Sequence, residues 1–291
     1  MHRMLKGWWQ SMSQPTSLKP KHRRALAWSQ PPPPEKHGFF TPRLLRQTAL
    51  CCALALLVAC YAGPLQHEAT AVLAVKRELP VYCVEREDDV ITVSFDASWG
   101  GDQTLRILDL LDEYNAKATF FLVGIWVEKY PELVKEIHAR GHEIGNHSDS
   151  HPEMSKLSNA QIIQELDGCS DKIEALTGER PTSFRPPYGD YDNEVVTVSR
   201  SEGYEVVQWS VDSLDWKNKG VDDLIRRATG KVQKGDIILF HNDSKYILDA
   251  LPTILKSYQE QGFTMIPARE ILLEGETTID VQGKQHPVAA E

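Results

Sequence analysis

The chain has 291 residues, 41% hydrophobic and 25% charged. That composition excludes a collagenous or low-complexity polymer and provides the core of one large domain or two small ones. Its formal net charge of −9 is split unevenly: residues 1–46 hold nine Lys or Arg against one acid, Glu35, so the rest holds 23 against 40, a net of −17. An acidic body is repelled by phosphate backbones, which argues against nucleic acid as a partner. Of the five cysteines, Cys51, Cys52 and Cys60 fall in one apolar run, leaving Cys83 and Cys169. There is no CxxC and no disulfide framework, although one bridge between those two stays open.

In chain order, residues 1–46 read as a disordered basic tail, cytoplasmic or an extended signal n-region, with "QPPPPE" (30–35) favouring extended polyproline. Residues 47–65 contain "ALCCALALLVACYAG", without charge and slightly short of the roughly 20 residues of a spanning helix. The run serves as a signal-peptide core or as an uncleaved anchor with the basic side inside. "LVAC" (57–60) also resembles the lipobox of lipoproteins. Each of these places residues 66–291 outside the cytoplasm, held at the cell membrane by a single pass or a lipid, or secreted. A buried core helix is the blander alternative.

A connector follows over 66–88, with one short strand at "PVYCVE". From Val90 strands and helices alternate. Strands are expected at 90–96, 118–124, 142–147, 183–186, 204–212, 236–241 and 263–268. Helices are expected at 104–116, 132–141, 158–178, 193–203, 221–234 and 249–261. The first helix shows Leu105, Leu108 and Leu111 at helical spacing; the long one has Ser158 to cap it and Gly178 to end it. Alternation implies parallel strands with helices outside. Seven units are too few for a regular eight-stranded barrel, so the fold class is α/β, a distorted (β/α)7 barrel of the TIM-barrel kind, over residues 89–272, with 273–291 as a tail. No Gly-rich phosphate loop follows the first strand, which argues against a nucleotide.

In such barrels the site lies at the C-terminal ends of the strands. Asp96, then His147 and His151, Arg185 and Tyr188, Asp212 and Asp215, and His241 stand there in turn. In "GNHSDSH" (145–151) the two histidines are four apart, a spacing that binds zinc on a helix. Pro152 disfavours helix at His151, so this is a loop, and the plain reading is two solvated histidines.

Five segments occur in order at these strand ends: "SFDAS" (94–98), "HSDSH" (147–151), "RPPYG" (185–189), "DSLDW" (212–216) and "ILFH" (238–241). Together they resemble the motifs of the polysaccharide deacetylase family, also called the NodB-homology or carbohydrate esterase family 4 domain, over about residues 89–270. The resemblance implies hydrolysis of N-acetyl groups on a glycan such as peptidoglycan or a chitin-like polymer, with release of acetate. It implies a divalent metal on His147 and His151, zinc first, with cobalt, manganese or nickel as alternatives. By the same resemblance Asp96 is the general base and His241 the general acid. Arg185 orients Asp96, and Asp212 holds Arg185. The Tyr188 backbone N–H serves the oxyanion, and Trp216 and Leu239 receive the acetyl methyl.

The first motif departs from the family, which carries two adjacent aspartates, the second a metal ligand. Here Ala97 follows Asp96. "FDASWG" (95–100) resembles the form found in a sporulation-type branch. Another acid, Asp102 or Asp149 being nearest in sequence, or water then fills the place; otherwise the domain has lost catalysis and kept glycan binding. An O-acetyl esterase on the same scaffold is a third reading.

Overall fold

The structure is a computed structural model that describes residues 42–73 and 77–288, excepting the side chains at 44 and 59–73. Contacts divide the chain into two units, 1–74 and 75–291. The first contains α1 (Pro42–Leu73), with proline in the first turn, where its missing N–H costs nothing. Leu45, Leu50, Leu54 and Leu57 are exposed on it. Among the described residues no helix is long and apolar enough to cross a membrane. The expectation of a disordered tail lies, up to residue 41, outside the described residues.

The second unit begins with β1 (Cys83–Val84), β2 (Val90–Ala97), α2 (Thr104–Glu113), β3 (Ala118–Leu122), α3 (Gly124–Lys129), α4 (Pro131–Ala139) and β4 (Glu143–Asn146). Then come α5 (Asn159–Thr177), β5 (Ser183–Phe184), α6 (Asn193–Ser201), β6 (Glu205–Val206), β7 (Val211–Asp212) and α7 (Val221–Thr229). The last are β8 (Ile237–His241), α8 (Ile247–Glu260), β9 (Thr264–Met265), α9 (Ala268–Ile271), β10 (Thr277–Ile279) and β11 (Lys284–Pro287). α5 keeps both of its expected ends: Ser158 and Gln161 form a capping box, and Gly178 takes the left-handed conformation at φ +78°.

The main sheet runs β6-β5-β4-β3-β2-β8-β7, all parallel, with β9 beside the start of β2. β6 and β7 are its two edges, yet only residues 207–210 separate them in sequence. Five Cα steps reach at most about 17 Å, so the sheet must curl until its edges nearly meet. The result is the expected incomplete barrel. The single strand expected at 204–212 is therefore two: at Val207 and Gln208 the carbonyls turn to Arg185 rather than to a neighbouring strand.

Along β2 the side chains alternate. Val93, Phe95 and Ala97 join the apolar cluster that includes Leu108, Leu111, Leu251 and Leu255 of the helices. Thr92, Ser94 and Asp96 take the other face, where Ser94 Oγ donates to the Ile238 carbonyl at 2.7 Å. The Phe95 ring stacks on Phe120 at 5.0 Å and lies 5.6 Å from Phe240, tying three central strands together. In α2 the buried stripe is Thr104, Ile107, Leu108 and Leu111, and the expected Leu105 is exposed: the i, i+3, i+4, i+7 row starts one residue earlier.

The ends of the domain differ from expectation. Residues 277–287 form a hairpin, β10 antiparallel to β11, and β11 pairs in parallel with β1 of the connector. Three- and four-residue strands around Gly283, at φ +83°, are too short to show period two in sequence, and the expected tail is this hairpin instead. Cys83 and Cys169 are both free thiols.

Candidate active site

Asp96 is the last residue but one of β2, on the inner face, and Arg185 follows β5, with its side chain wholly buried. The guanidinium donates to Asp96 Oδ1 at 2.7 Å and to the Val207 and Gln208 carbonyls at 3.4 and 3.0 Å, and lies over the Phe121 ring at 4.1 Å. Burial alone would raise the Asp96 pKa; the Arg185 guanidinium beside it, the largest opposing cause, outweighs it and holds the carboxyl below the ordinary range. Arg185 is thus paired by Asp96 and two carbonyls, and the expected Asp212 is not its partner. Asp212 lines the cleft, and its carboxylate accepts from the Leu214 N–H at 2.8 Å, closing a local turn.

The histidine loop is pinned from several sides. His147 N–H donates to the Leu122 carbonyl at 3.0 Å, continuing the pairing of β3 with β4. Buried Asn146 donates to the Leu166 carbonyl and Ser170 Oγ, both at 2.8 Å, and accepts from the Ser148 N–H at 2.7 Å. Glu165 of α5 accepts from the Asp149 N–H, the Ser150 N–H and Ser150 Oγ. The ring centroids of His147 and His151 stand 5.0 Å apart, with Tyr188 packed edge-on to His151 at 4.5 Å. Ser148, His151, Tyr188, Leu214 and Asn218 all hold positive φ, as does Asn115 away from the site. Backbone strain of about 1 kcal/mol per residue persists where the surroundings fix a functional geometry.

The donor set can be tested for a metal. His147 Nδ1 lies 2.6 Å from the Arg185 carbonyl and must donate to it. The lone pair is then on Nε2, which faces Asp96 Oδ2 at 3.5 Å. Burial holds His147 below the ordinary imidazole range, and burial first, then the neighbouring His147, brings His151 down to about 4. His151 Nδ1 is buried with no hydrogen-bond partner. Two neutral imidazoles with a carboxylate facing a lone pair fit a divalent cation. Among the described residues no second carboxylate joins Asp96 beside this pair. Ala97 is fully buried among apolar side chains. Asp149 is bound to Lys172 at 2.6 Å and does not line the cleft, nor does Asp102. Among the described residues no group of three His, Cys, Asp or Glu side chains is arranged to hold a metal.

His241 ends β8 across the cleft. Its Nδ1 is 2.7 Å from Asp215 Oδ1, and its backbone N–H donates to Asp215 Oδ2 at 2.8 Å. Burial lowers its pKa, but the bond and charge of Asp215, followed by the charges of Asp96 and Asp243, prevail and raise it. In the sequence Asp215 is only a strand-end acid. The spacing D-x-x-D in "DSLD" placed both carboxylates there but did not say which would reach His241. The left-handed Leu214 turns the chain so that Asp215 points back to β8.

The cleft over these groups measures about 690 Å³ and is lined by Asp96, His147, His151, Tyr188, Trp216, Leu239 and His241, besides the rim residues. Trp99, Tyr188 and Trp216 are 60, 69 and 55% exposed and all line it. Trp99 is carried on a loop fixed by Gly100, whose carbonyl accepts from Trp126 Nε1 at 2.6 Å and Asn242 Nδ2 at 2.9 Å.

Comparison with known proteins gives one family model, Polysaccharide deacetylase, which matches residues 84–207. The YlxY protein of Bacillus subtilis is 31% identical over 195 residues, 67% of this chain and 61% of that protein, so this chain spans less than two thirds of its length. A peptidoglycan-N-acetylglucosamine deacetylase of Bacillus cereus is 35% identical over 195 residues, covering 65% of this chain and 91% of that one. Among solved structures, a CE4 family pseudoenzyme from Bacillus anthracis has a TM-score of 0.64 at 33% identity, covering 66% of this chain and 68% of that one. A mutant of that pseudoenzyme with restored enzymatic activity matches at the same TM-score and 34% identity.

Proposed function

Because the chain belongs to the polysaccharide deacetylase family, we propose that it hydrolyses N-acetyl groups of a cell-wall glycan, giving acetate and a free amino sugar. The observation that carries this reading is the pair of opposed groups across one cleft: Asp96, whose carboxylate form buried Arg185 favours, and His241, whose protonated form Asp215 favours. Two titratable groups whose surroundings push them toward opposite protonation states make a base and an acid.

Asp96 takes the proton of the attacking water, and Arg185 keeps the carboxylate in place. His241 donates its Nδ1–H to Asp215, which leaves Nε2 as the nitrogen that gives a proton to the departing amine. The left-handed turn at Tyr188 presents backbone to the developing oxyanion, and Leu239 with Trp216 receives the acetyl methyl. His147 and His151 would hold a divalent ion, zinc first, with cobalt, manganese and nickel as alternatives. Bound there, such an ion would supply Lewis acidity to the amide carbonyl and to the attacking water. The N-terminal apolar run, 47–65, would deliver this domain to the outer side of the membrane as anchor, lipid site or signal core.

Acetate release from N-acetylglucosamine oligomers and peptidoglycan tests the reading. Turnover that stops with a chelator and returns with zinc or cobalt supports it; unchanged turnover when His147 and His151 are both replaced by Ala rejects the metal. Ala97 favours a second reading, a glycan-binding protein with impaired chemistry, and the Bacillus anthracis pseudoenzyme is a relative of that kind. Acetate release by the parent chain separates the two: under the second reading the folded chain binds glycan and releases no acetate with any added metal, while turnover abolished by Asp96→Asn ends that reading.

A further inference from the structure

The loop after β2, which supplies no second carboxylate, carries an exposed indole instead. Trp99 lines the cleft, and among the described residues its one ring contact is with His151, at 6.3 Å and 63°, so no other ring stacks on its faces. A large apolar face held in a cleft wall and left uncovered marks a surface that a ligand covers.

The loop after β8 is stitched to this one. The Gly100 carbonyl accepts from Asn242 Nδ2 at 2.9 Å, the Ser244 carbonyl accepts from Gln103 Nε2 at 3.1 Å, and the Asn242 N–H donates to the Asp96 carbonyl at 3.3 Å. Gly100 sits at φ +50°, and a Cβ there would stand 3.0 Å from Asp243 Cβ, so glycine is what lets the two loops close up. Trp99 is thereby held next to Asp243. The Asp243 carboxylate lines the cleft, and its pKa is raised, because burial outweighs the charge of His241 and no side chain donates a hydrogen bond to it. Beside it Ser244 lines the cleft, is 4% exposed, and its hydroxyl has no partner. A partly desolvated carboxylate and a hydroxyl without a partner are both satisfied by ligand hydroxyls.

An apolar face flanked by a free acceptor matches a pyranose, whose ring face of C–H groups is apolar and whose hydroxyls project at the rim. An acyl chain would desolvate Asp243 without giving it donors, and an anion would be repelled by it. The cleft of about 690 Å³ is of the size that takes a whole drug-sized ligand, more than one sugar ring.

We propose that Trp99 and Asp243, with Ser244 beside them, bind a second, uncharged sugar ring adjoining the one that carries the reacting acetyl group. That ring stacks on the indole and donates its hydroxyls to the Asp243 carboxylate, so the chain selects glycan of two or more rings over the single N-acetylated sugar. For the reaction this rests on the deacetylase reading; for binding it does not.

The experiment measures the affinity of the full-length chain for N-acetylglucosamine and for its oligomers of two and four rings, with acetate release followed in parallel under added zinc. Wild type binds the oligomers more tightly than the single sugar. Trp99→Ala lowers the ratio of oligomer to single-sugar affinity about two- to tenfold, the range of one aromatic contact. Trp99→Phe keeps most of the ratio, and Asp243→Ala lowers it further when combined with Trp99→Ala. Equal affinity of wild type for one ring and for four, or a loss in Trp99→Ala shared equally by single sugar and oligomer, overturns the proposal. Acetate released with no dependence on chain length removes the second-ring site and leaves the deacetylase reading standing. A Trp99-dependent preference for oligomers without any acetate release does the reverse.

Discussion

Strand β4 begins at a buried carboxylate, Glu143, and leads at its other end to a buried imidazole, His147. The two ends of the barrel treat such groups differently. At the start of the strands, Glu143 accepts from Thr119 Oγ1 at 2.8 Å, from the Arg269 N–H at 2.9 Å and from Ser183 Oγ. Nearby His142 takes the Ala118 N–H at 3.2 Å, and burial brings it down to about 4. The cavity there is about 40 Å³, room for little more than water. At the other end, Asp96 gives one oxygen to Arg185 and turns the other toward an imidazole lone pair, beneath a cleft of about 690 Å³. A buried carboxylate whose oxygens are all bound by its own strands and helices closes a structure. One with an oxygen left facing space is poised for chemistry.

That contrast is open to direct test. The largest effect is expected for Asp96→Asn, which keeps an oxygen for Arg185 but removes the base; kcat/KM falls about 10²- to 10⁴-fold while the melting temperature changes little. A steady-state assay with a thermal melt of the same sample decides it, and equal loss of stability and activity would erase the distinction between the two ends. Next comes Asp215→Asn, with a loss of up to about a hundredfold. Because Asp215 raises the His241 pKa, its removal lowers that value, and the alkaline limb of the pH–rate profile moves to lower pH. A limb that stays in place would show that His241 is not the acid.

Glu143→Gln is expected to do the reverse of Asp96→Asn. Its amide keeps one oxygen for Thr119 and Arg269 and turns its nitrogen to Ser183 Oγ, whose own hydrogen then loses its buried acceptor, which costs about 1–3 kcal/mol of stability. Urea unfolding reads that loss, and kcat at a permissive temperature stays near that of the parent.

The smallest effect belongs to the exposed hairpin, where His286 bridges Glu85 at 2.7 Å and Asp280 at 3.0 Å. Asp280, then Glu85, raises the His286 pKa, and His286 is the chief cause holding each carboxyl below its usual range. The stability from His286 is full below its unfolded pKa of about 6.5 and is lost as pH rises through the higher folded value. The carboxylates contribute above their unfolded pKa of about 4, and that contribution is lost as pH falls through the lower folded values. His286→Gln should therefore reduce stability near pH 5.5 and not near pH 9. An equal reduction at both would make the bridge a packing contact only.

Sequence carried the architecture far. Alternating strands and helices with caps such as Ser158 and Gly178 are local, and local propensity together with apolar period specifies the barrel and which strand ends face the site. It also brought Asp96, His147, Arg185 and His241 into one candidate set, because each ends or follows an apolar strand. The pairings were not local. Asp215, not Asp212, reaches His241 because of a left-handed turn at Leu214, and Arg185 leans on carbonyls at the break between β6 and β7 rather than on Asp212. Asp149, a candidate third ligand by proximity in sequence, is drawn away by Lys172 of α5. Hydrogen-bond partners twenty or more residues apart depend on where helices settle against the sheet, and no short pattern encodes that. By itself the sequence determined which chemistry was available and at which end of the barrel. Only the tertiary structure decided which acid holds which base, since that follows from distances fixed by packing.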